Sequence, residues 1–404
     1  MKQLFAFLIF ITINTLGFSQ DVWTKKTNYP KNVFASFGFA LNNTGYIGMG
    51  WDPVGINDVY AYNASTNTWT QKGSFPGPFL SHATAFVIKN HAYMGTGSGF
   101  FNNVYTQTNQ FWMYNPDTDQ WTRKSDFGGA ARTLSAAFVI DTIAYVGTGG
   151  GNAQAYQDFW KYDFINDTWE AIADFPGGKR TDAVAFTLNG KGYVGLGNSA
   201  TGVQKDIWAY DPILNTWEQK ADFPVARQQA SAFVINNTAY VGCGTTGNTS
   251  TVMNDFWKYD LANDTWERID DIGTFGRTYS VSFVLNNKGY VGTGVNASGG
   301  SPYLNDFWEF KHDQSLRNVD AHASAKITLA PNPTSDLLTI TCADNHSTST
   351  IVVMNALGEV VLNSSPFSEK QITLSTQALP SGLYFVYYQD TNSFTFINKA
   401  LVMH

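Results

Sequence analysis

The sequence predicts an all-β chain, a six-bladed β-propeller closed by its N-terminal strand and followed by a small immunoglobulin-like β-sandwich. Three observations carry this. A short aromatic pattern returns about every 50 residues. Each copy alternates apolar and polar positions on both sides of a polar turn. A half-repeat at the beginning complements a half-repeat near residue 310.

The pattern is clearest at Asn254–Trp266, N-D-F-W-K-Y-D-L-A-N-D-T-W. Gln157–Trp169 and Lys205–Trp217 repeat it closely, and Asn57–Trp69 and Asn109–Trp121 repeat it with variations. Period-2 alternation around a turn of Pro, Asn or Asp is a hairpin signal. The second-strand tryptophans stand at 69, 121, 169, 217 and 266, so successive spacings are 52, 48, 48 and 49. A period of ~50 residues with four strands per unit is the sequence signature of a propeller.

In chain order, residues 1–19 combine one lysine, an apolar run Leu4–Ile13 and small residues before Ser19, the pattern of a secretory signal peptide. The run is shorter than the ~20 residues a spanning helix needs, and no later stretch is apolar enough, so no transmembrane segment is expected in the mature chain. Asp21–Thr27 looks like the outer strand of a repeat with nothing before it, and Asn305–Phe310 like a third strand with no Trp-bearing strand after it. Together they complete one sheet, which would close the ring and hide its edges. Residues 20–312 then hold six repeats. The innermost strands lie near residues 34–41, 83–88, 135–140, 183–188, 230–235 and 280–285. One tryptophan per repeat is expected to wedge against a neighbour, so these rings read as core.

Composition narrows the function. The net charge of −7 has no basic cluster, which argues against a nucleic-acid partner. Two distant cysteines make neither a disulfide framework nor a zinc site, and Cys243 reads as a buried thiol. Residues 313–326 form a polar linker. Residues 327–404 hold short alternating strands separated by Gly, Pro, Asn and Ser, as in a sandwich.

The aromatic third-strand motif, the turn before Thr-Trp and the arginine before the first strand resemble the kelch repeats, over about Asp21–Lys311. One departure is regular: where kelch repeats carry adjacent glycines, this chain has Gly-x-Gly, as in Gly147/Gly149 and Gly195/Gly197. Pro331-Asn332-Pro333, Asn355-Ala356-Leu357-Gly358-Glu359 and Leu379-Pro380-Ser381-Gly382-Leu383-Tyr384 resemble the C-terminal sorting domain of type IX secretion, in family order. That resemblance implies the type IX secretion machinery as a partner for residues 327–404, and a secreted or outer-surface destination.

Candidate binding residues follow from the repeat and its exceptions. Arg132, Arg180, Arg227 and Arg277 each stand six positions before the first-strand Phe, where the first two repeats have Val33 and Leu80. A ring of guanidinium groups near the channel mouth suits carboxylates. Asp158, Asp206, Asp255 and Asp306 begin the third strand of the same four repeats, so structural pairing within each repeat is the other reading, and both stand open here. The long loops after the second strands carry Trp51, Phe100, Phe101, Tyr156 and Tyr303, and His82 precedes the first strand of the second repeat. Loops on a rigid scaffold are where binding residues concentrate. No catalytic triad, phosphate loop or metal-ligand cluster is evident, and no cofactor is expected. The sequence thus points to a propeller that binds an extracellular glycan or protein through its long-loop face. The alternative is an exported mutarotase or epimerase acting on a sugar acid, of the kind that kelch proteins with arginine-lined sites include.

Overall fold

The computed structural model describes residues 22–312 except 53–54, 248–251 and 297–302, and residues 328–403 except 332–333, 342–349, 356–359, 366–370 and 390–393. The expected signal peptide, the expected linker and parts of the Pro331 and Asn355 motifs lie outside the described residues. The described residues fall into two compact units, divided after residue 313.

The first unit contains six four-stranded antiparallel sheets. The fourth is representative: Val184–Leu188, Lys191–Gly195, Ile207–Asp211 and Thr216–Lys220 run in order from inside to outside. The six innermost strands are Phe37–Leu41, Thr84–Ile88, Ala136–Ile140, Val184–Leu188, Ser231–Ile235 and Val281–Leu285. Each neighbours the next, and the last neighbours the first, so the ring is closed. Alternate residues of these strands are buried between blades. The first intervening position of each strand lines the axis and is small, Gly38, Ala85, Ala137, Ala185, Ala232 and Ser282, which leaves a cavity of about 290 Å³.

Closure occurs where the half-repeats predict it. Val22–Lys26 pairs antiparallel with Phe307–Lys311, from Val22↔Lys311 to Lys26↔Phe307, as outer strand of the last sheet. Each outer-strand tryptophan packs on an aromatic ring of the preceding blade. Trp69 meets Phe307 at 5.1 Å, Trp217 meets Phe159 at 5.2 Å, and Trp23 meets Phe256 at 4.9 Å between ring centroids. Burying ~150–250 Å² of indole contributes at most about 4–6 kcal/mol before entropy, so the rings act as mortar between blades.

The Gly-x-Gly variant has a geometric cause. Its middle residues, such as Thr148 and Leu196, have φ between 51° and 61° in all six blades, and the second glycines have φ between 83° and 106°. A Cβ on Gly197 would sit 2.4 Å from the Thr181 carbonyl oxygen. That glycine N–H donates to the backbone carbonyl of the arginine position in the next blade: Gly149 to Arg180 and Gly197 to Arg227, each at 2.9 Å. Gly294 to Val33, also at 2.9 Å, joins the last blade to the first. Glycine is needed because the chain must turn left-handed while touching its neighbour.

In the second unit, sheets of three and four strands enclose a core that includes Leu338, Ile340, Ile351, Val353, Val386 and Val402. Leu379 and Tyr384 of the third motif are buried, and the Tyr384 hydroxyl donates to the Pro380 carbonyl at 2.8 Å. That motif therefore builds a corner of the core.

Candidate functional site

The four arginines are internal. Arg132, Arg180, Arg227 and Arg277 are all at most 1% exposed. Each guanidinium meets its own blade's aspartate with two bonds: Arg132–Asp158 at 2.7 and 2.8 Å, Arg180–Asp206 at 2.6 and 3.0 Å, Arg227–Asp255 at 2.7 and 2.8 Å, and Arg277–Asp306 at 2.9 and 2.7 Å. The same Nη1 atoms donate to the carbonyls of the left-handed residues Thr148, Leu196, Cys243 and Thr293. Phe127, Phe175 and Phe223 lie beneath the first three guanidinium planes, at 4.7–4.8 Å. The indole of Trp160, Trp208, Trp257 or Trp308 donates to the outer oxygen of each aspartate. Burial raises the carboxyls of Asp158, Asp255 and Asp306, but bonds and charge from their arginines outweigh it and hold all three below the usual range. The geometry therefore gives these arginines the pairing role and buries them away from a ligand at the mouth; the Nε–H groups of Arg180 and Arg277 stay unbonded but are shut off from solvent. Tyr156 is drawn into the same assembly, its ring 4.2 Å from the Arg132 guanidinium.

The first two blades solve the same position without charge. Val33 and Leu80 are buried there. Asp58 turns outward to Lys31 at 3.3 Å, which explains an aspartate without its arginine. In the second blade Gln110 replaces the aspartate, and the buried indole N–H of Trp112 has no hydrogen-bond partner.

On the long-loop face these two blades carry an aromatic wall. Trp51 meets Phe79 at 5.4 Å and Tyr105 at 6.0 Å, and Phe100 meets Tyr105 at 5.2 Å. The loop after the second strand folds into a hairpin, Ser98–Phe101 with Val104–Gln107, which pairs with Leu80–Ser81. Phe100 is 46% and Tyr105 43% exposed, whereas Phe101 packs against the apolar core of the first two blades. Tyr303 lies against Phe34 at 5.0 Å, separate from the wall. The structure thus groups Trp51 and Phe100, and places Phe101, Tyr156 and Tyr303 elsewhere.

A second site surrounds the axis. Two residues after each arginine position, the chain adopts positive φ in every blade: Ala35, His82, Leu134, Asp182, Gln229 and Tyr279, at 53–60°. Backbone bonds link these residues around the ring, as in His82 N–H to Ala35 O at 2.9 Å and Gln229 N–H to Asp182 O at 3.2 Å. Their side chains frame a pocket of about 150 Å³ at the channel mouth. Gln229 Nε2 donates to the Tyr279 hydroxyl at 2.6 Å, and the His82 and Tyr279 rings meet edge-to-face at 4.8 Å. Burial pushes His82 down to about 4 and Asp182 up to about 6, and raises the Tyr279 hydroxyl. Asp182, Gln229 and Tyr279 escape a search for repeated residues because they break the repeat. Six equivalent positions with six different side chains are the signal that could have found them. Among the described residues no group of three His, Cys, Asp or Glu side chains could hold a metal ion. Cys243 is buried, its thiol pushed up to about 12 by desolvation.

Residues 131–294 match the family model of the KLHDC2/KLHL20/DRC7 Kelch-repeats domain, and residues 328–403 match that of the secretion system C-terminal sorting domain. The chain is a kelch propeller with a type IX secretion sorting domain. The solved structure of YjhT is similar to it, with a TM-score of 0.62 and 18% identity, covering 70% of this chain and 95% of that one. At that identity the likeness speaks for the fold alone. No curated protein sequence matches the chain. The sorting domain marks the kelch protein for export to the cell surface or the extracellular space, and no helix among the described residues is long and apolar enough to cross a membrane.

Proposed function

We propose that this exported kelch protein binds extracellular carbohydrate on its long-loop face, without catalysis. The observation that supports this best is the wall of Trp51, Phe79, Phe100 and Tyr105, of which Phe100 and Tyr105 stay about half exposed on a rigid hairpin. Flat rings with a polar edge suit the apolar faces and hydroxyls of sugars, and isolated large apolar patches on a surface mark interaction sites. A sugar-acid isomerase would need a cation free to meet a carboxylate, and the four repeat arginines are each bound twice to an aspartate. A protein partner on the same wall is the other outcome open to test.

The experiment is a glycan array with the full chain, followed by calorimetric titration of the best ligand against Tyr105→Ala and Phe100→Ala. Loss of at least tenfold in affinity at unchanged melting temperature is expected. An array without hits, or hits indifferent to both substitutions, would sink the reading. Accelerated sialate mutarotation followed by NMR would favour the isomerase instead.

A further inference from the structure

The axial mouth has a chemistry of its own, and it does not depend on the aromatic wall. Asp182 brings a carboxylate to the wall of a small pocket. Its Oδ2 accepts a bond from the Thr181 hydroxyl at 2.8 Å. Its Oδ1 is shielded from solvent and has no hydrogen-bond partner. The Gln229 amide, which donates to the Tyr279 hydroxyl, is near enough to lower the carboxyl as well, but by less than burial raises it. Among the described residues no lysine or arginine side chain lines this mouth. A buried carboxylate without a cation is unstable as an anion, and ordinarily such groups are paired or become protonated. In blades three to six the aspartate that opens the third strand has its arginine, whereas at the mouth no such cation lies beside Asp182 among the described residues.

We propose that the axial mouth is a binding site for a small organic cation, an ammonium group held by the Asp182 carboxylate and flanked by the rings of His82 and Tyr279. The two rings stand nearly perpendicular, at 77° with centroids 4.8 Å apart, and both line the mouth. A cation over an aromatic face, next to a carboxylate in a site partly closed to water, gains from both. An anionic ligand would meet an unpaired negative charge, and a neutral one would leave that charge without a partner.

The pH dependence of binding follows from the groups around the mouth. Ala35 and Leu134 do not titrate. His82, lowered to about 4, stays neutral between pH 5 and 7.5, and the raised Tyr279 hydroxyl stays protonated. Asp182, raised to about 6, is the group that changes. Its anion is nearly complete at pH 7.5 and about one part in ten at pH 5, so cation affinity should fall about tenfold on acidification.

The test uses the full chain and tetramethylammonium, whose charge does not titrate, with tert-butanol as a neutral compound of similar shape and methylammonium as the primary amine. Binding is followed by ligand-observed NMR at pH 7.5 and pH 5. Saturable binding of both ammonium probes is expected, tenfold weaker at pH 5, with no saturation by tert-butanol. Asp182→Asn keeps a residue that tolerates positive φ and should weaken binding at least tenfold and abolish the pH dependence. Should that variant fail to fold, the pH profile of the unaltered chain decides. Absence of saturable binding, equal binding of tert-butanol, or an affinity unchanged between the two pH values would overturn the proposal.

Discussion

Blades one and two differ from blades three to six at one structural position, and the difference separates what the ring requires from what it merely uses. Six backbone carbonyls accept the glycine bond that joins successive blades, at Val33, Leu80, Arg132, Arg180, Arg227 and Arg277. Four of those residues send a guanidinium inward to an aspartate as an indole-capped pair, in three of them over a phenylalanine ring. Two fill the same space with an aliphatic side chain. The backbone geometry is thus independent of the charge. A buried ion pair can be exchanged for apolar packing at little cost, whereas half of one cannot. The two uncharged blades are also the ones that carry the exposed aromatic wall.

That comparison can be broken in order of effect. Asp255→Ala leaves the buried Arg227 without its carboxylate, and chemical unfolding should show a loss of about 3–5 kcal/mol. Leu80→Arg places the charged solution in a blade with Gln110 in place of the aspartate, and should cost about 3 kcal/mol or more by the same measurement. Arg227→Leu combined with Asp255→Gln installs the second blade's own solution in the fifth, and stability should return to within about 1 kcal/mol of the parent. If that double variant is as unstable as Asp255→Ala, the equivalence of the two blade types is wrong.

Acid sharpens the same point. The carboxyls of Asp158, Asp255 and Asp306 are depressed in the folded chain, so the stability they contribute is present above the ordinary carboxylate value of ~3.9 and is lost as pH falls through their folded values. Below about pH 4 the parent should therefore lose more stability than the Arg227→Leu, Asp255→Gln variant, as read from unfolding curves at stepped pH. The smallest effect belongs to Tyr105→Ala, which should change stability by no more than about 0.5 kcal/mol while weakening glycan binding.

Much of the ring was legible because it repeats. The spacing of Trp69, Trp121, Trp169, Trp217 and Trp266 located the sheets, and the unpaired Val22–Lys26 segment found its partner in Phe307–Lys311. The joint loss of Arg and Asp in the second repeat pointed to pairing within a blade. Asp58 blurred that correlation, since its partner Lys31 stands two positions before the place where blades three to six carry arginine and this one carries Val33. The mouth was not legible for the opposite reason. His82 stood out as a rare residue, but Asp182, Gln229 and Tyr279 resemble ordinary loop residues until the backbone ring brings them together. Trp51 and Phe100 were found by their loops, while Phe79, which completes their wall, precedes the hairpin and went unmarked.

Val22 and Lys311 face each other across the closing sheet although 289 residues separate them in sequence. Contacts so remote form slowly, because the chain entropy lost in closing so large a loop comes before any gain. Until the final strand is available, a nascent molecule therefore carries two raw edges ready to pair with other chains. For a polypeptide that must reach the cell exterior, that late step favours holding the chain open until it has left the ribosome, and sealing it only once both ends have arrived.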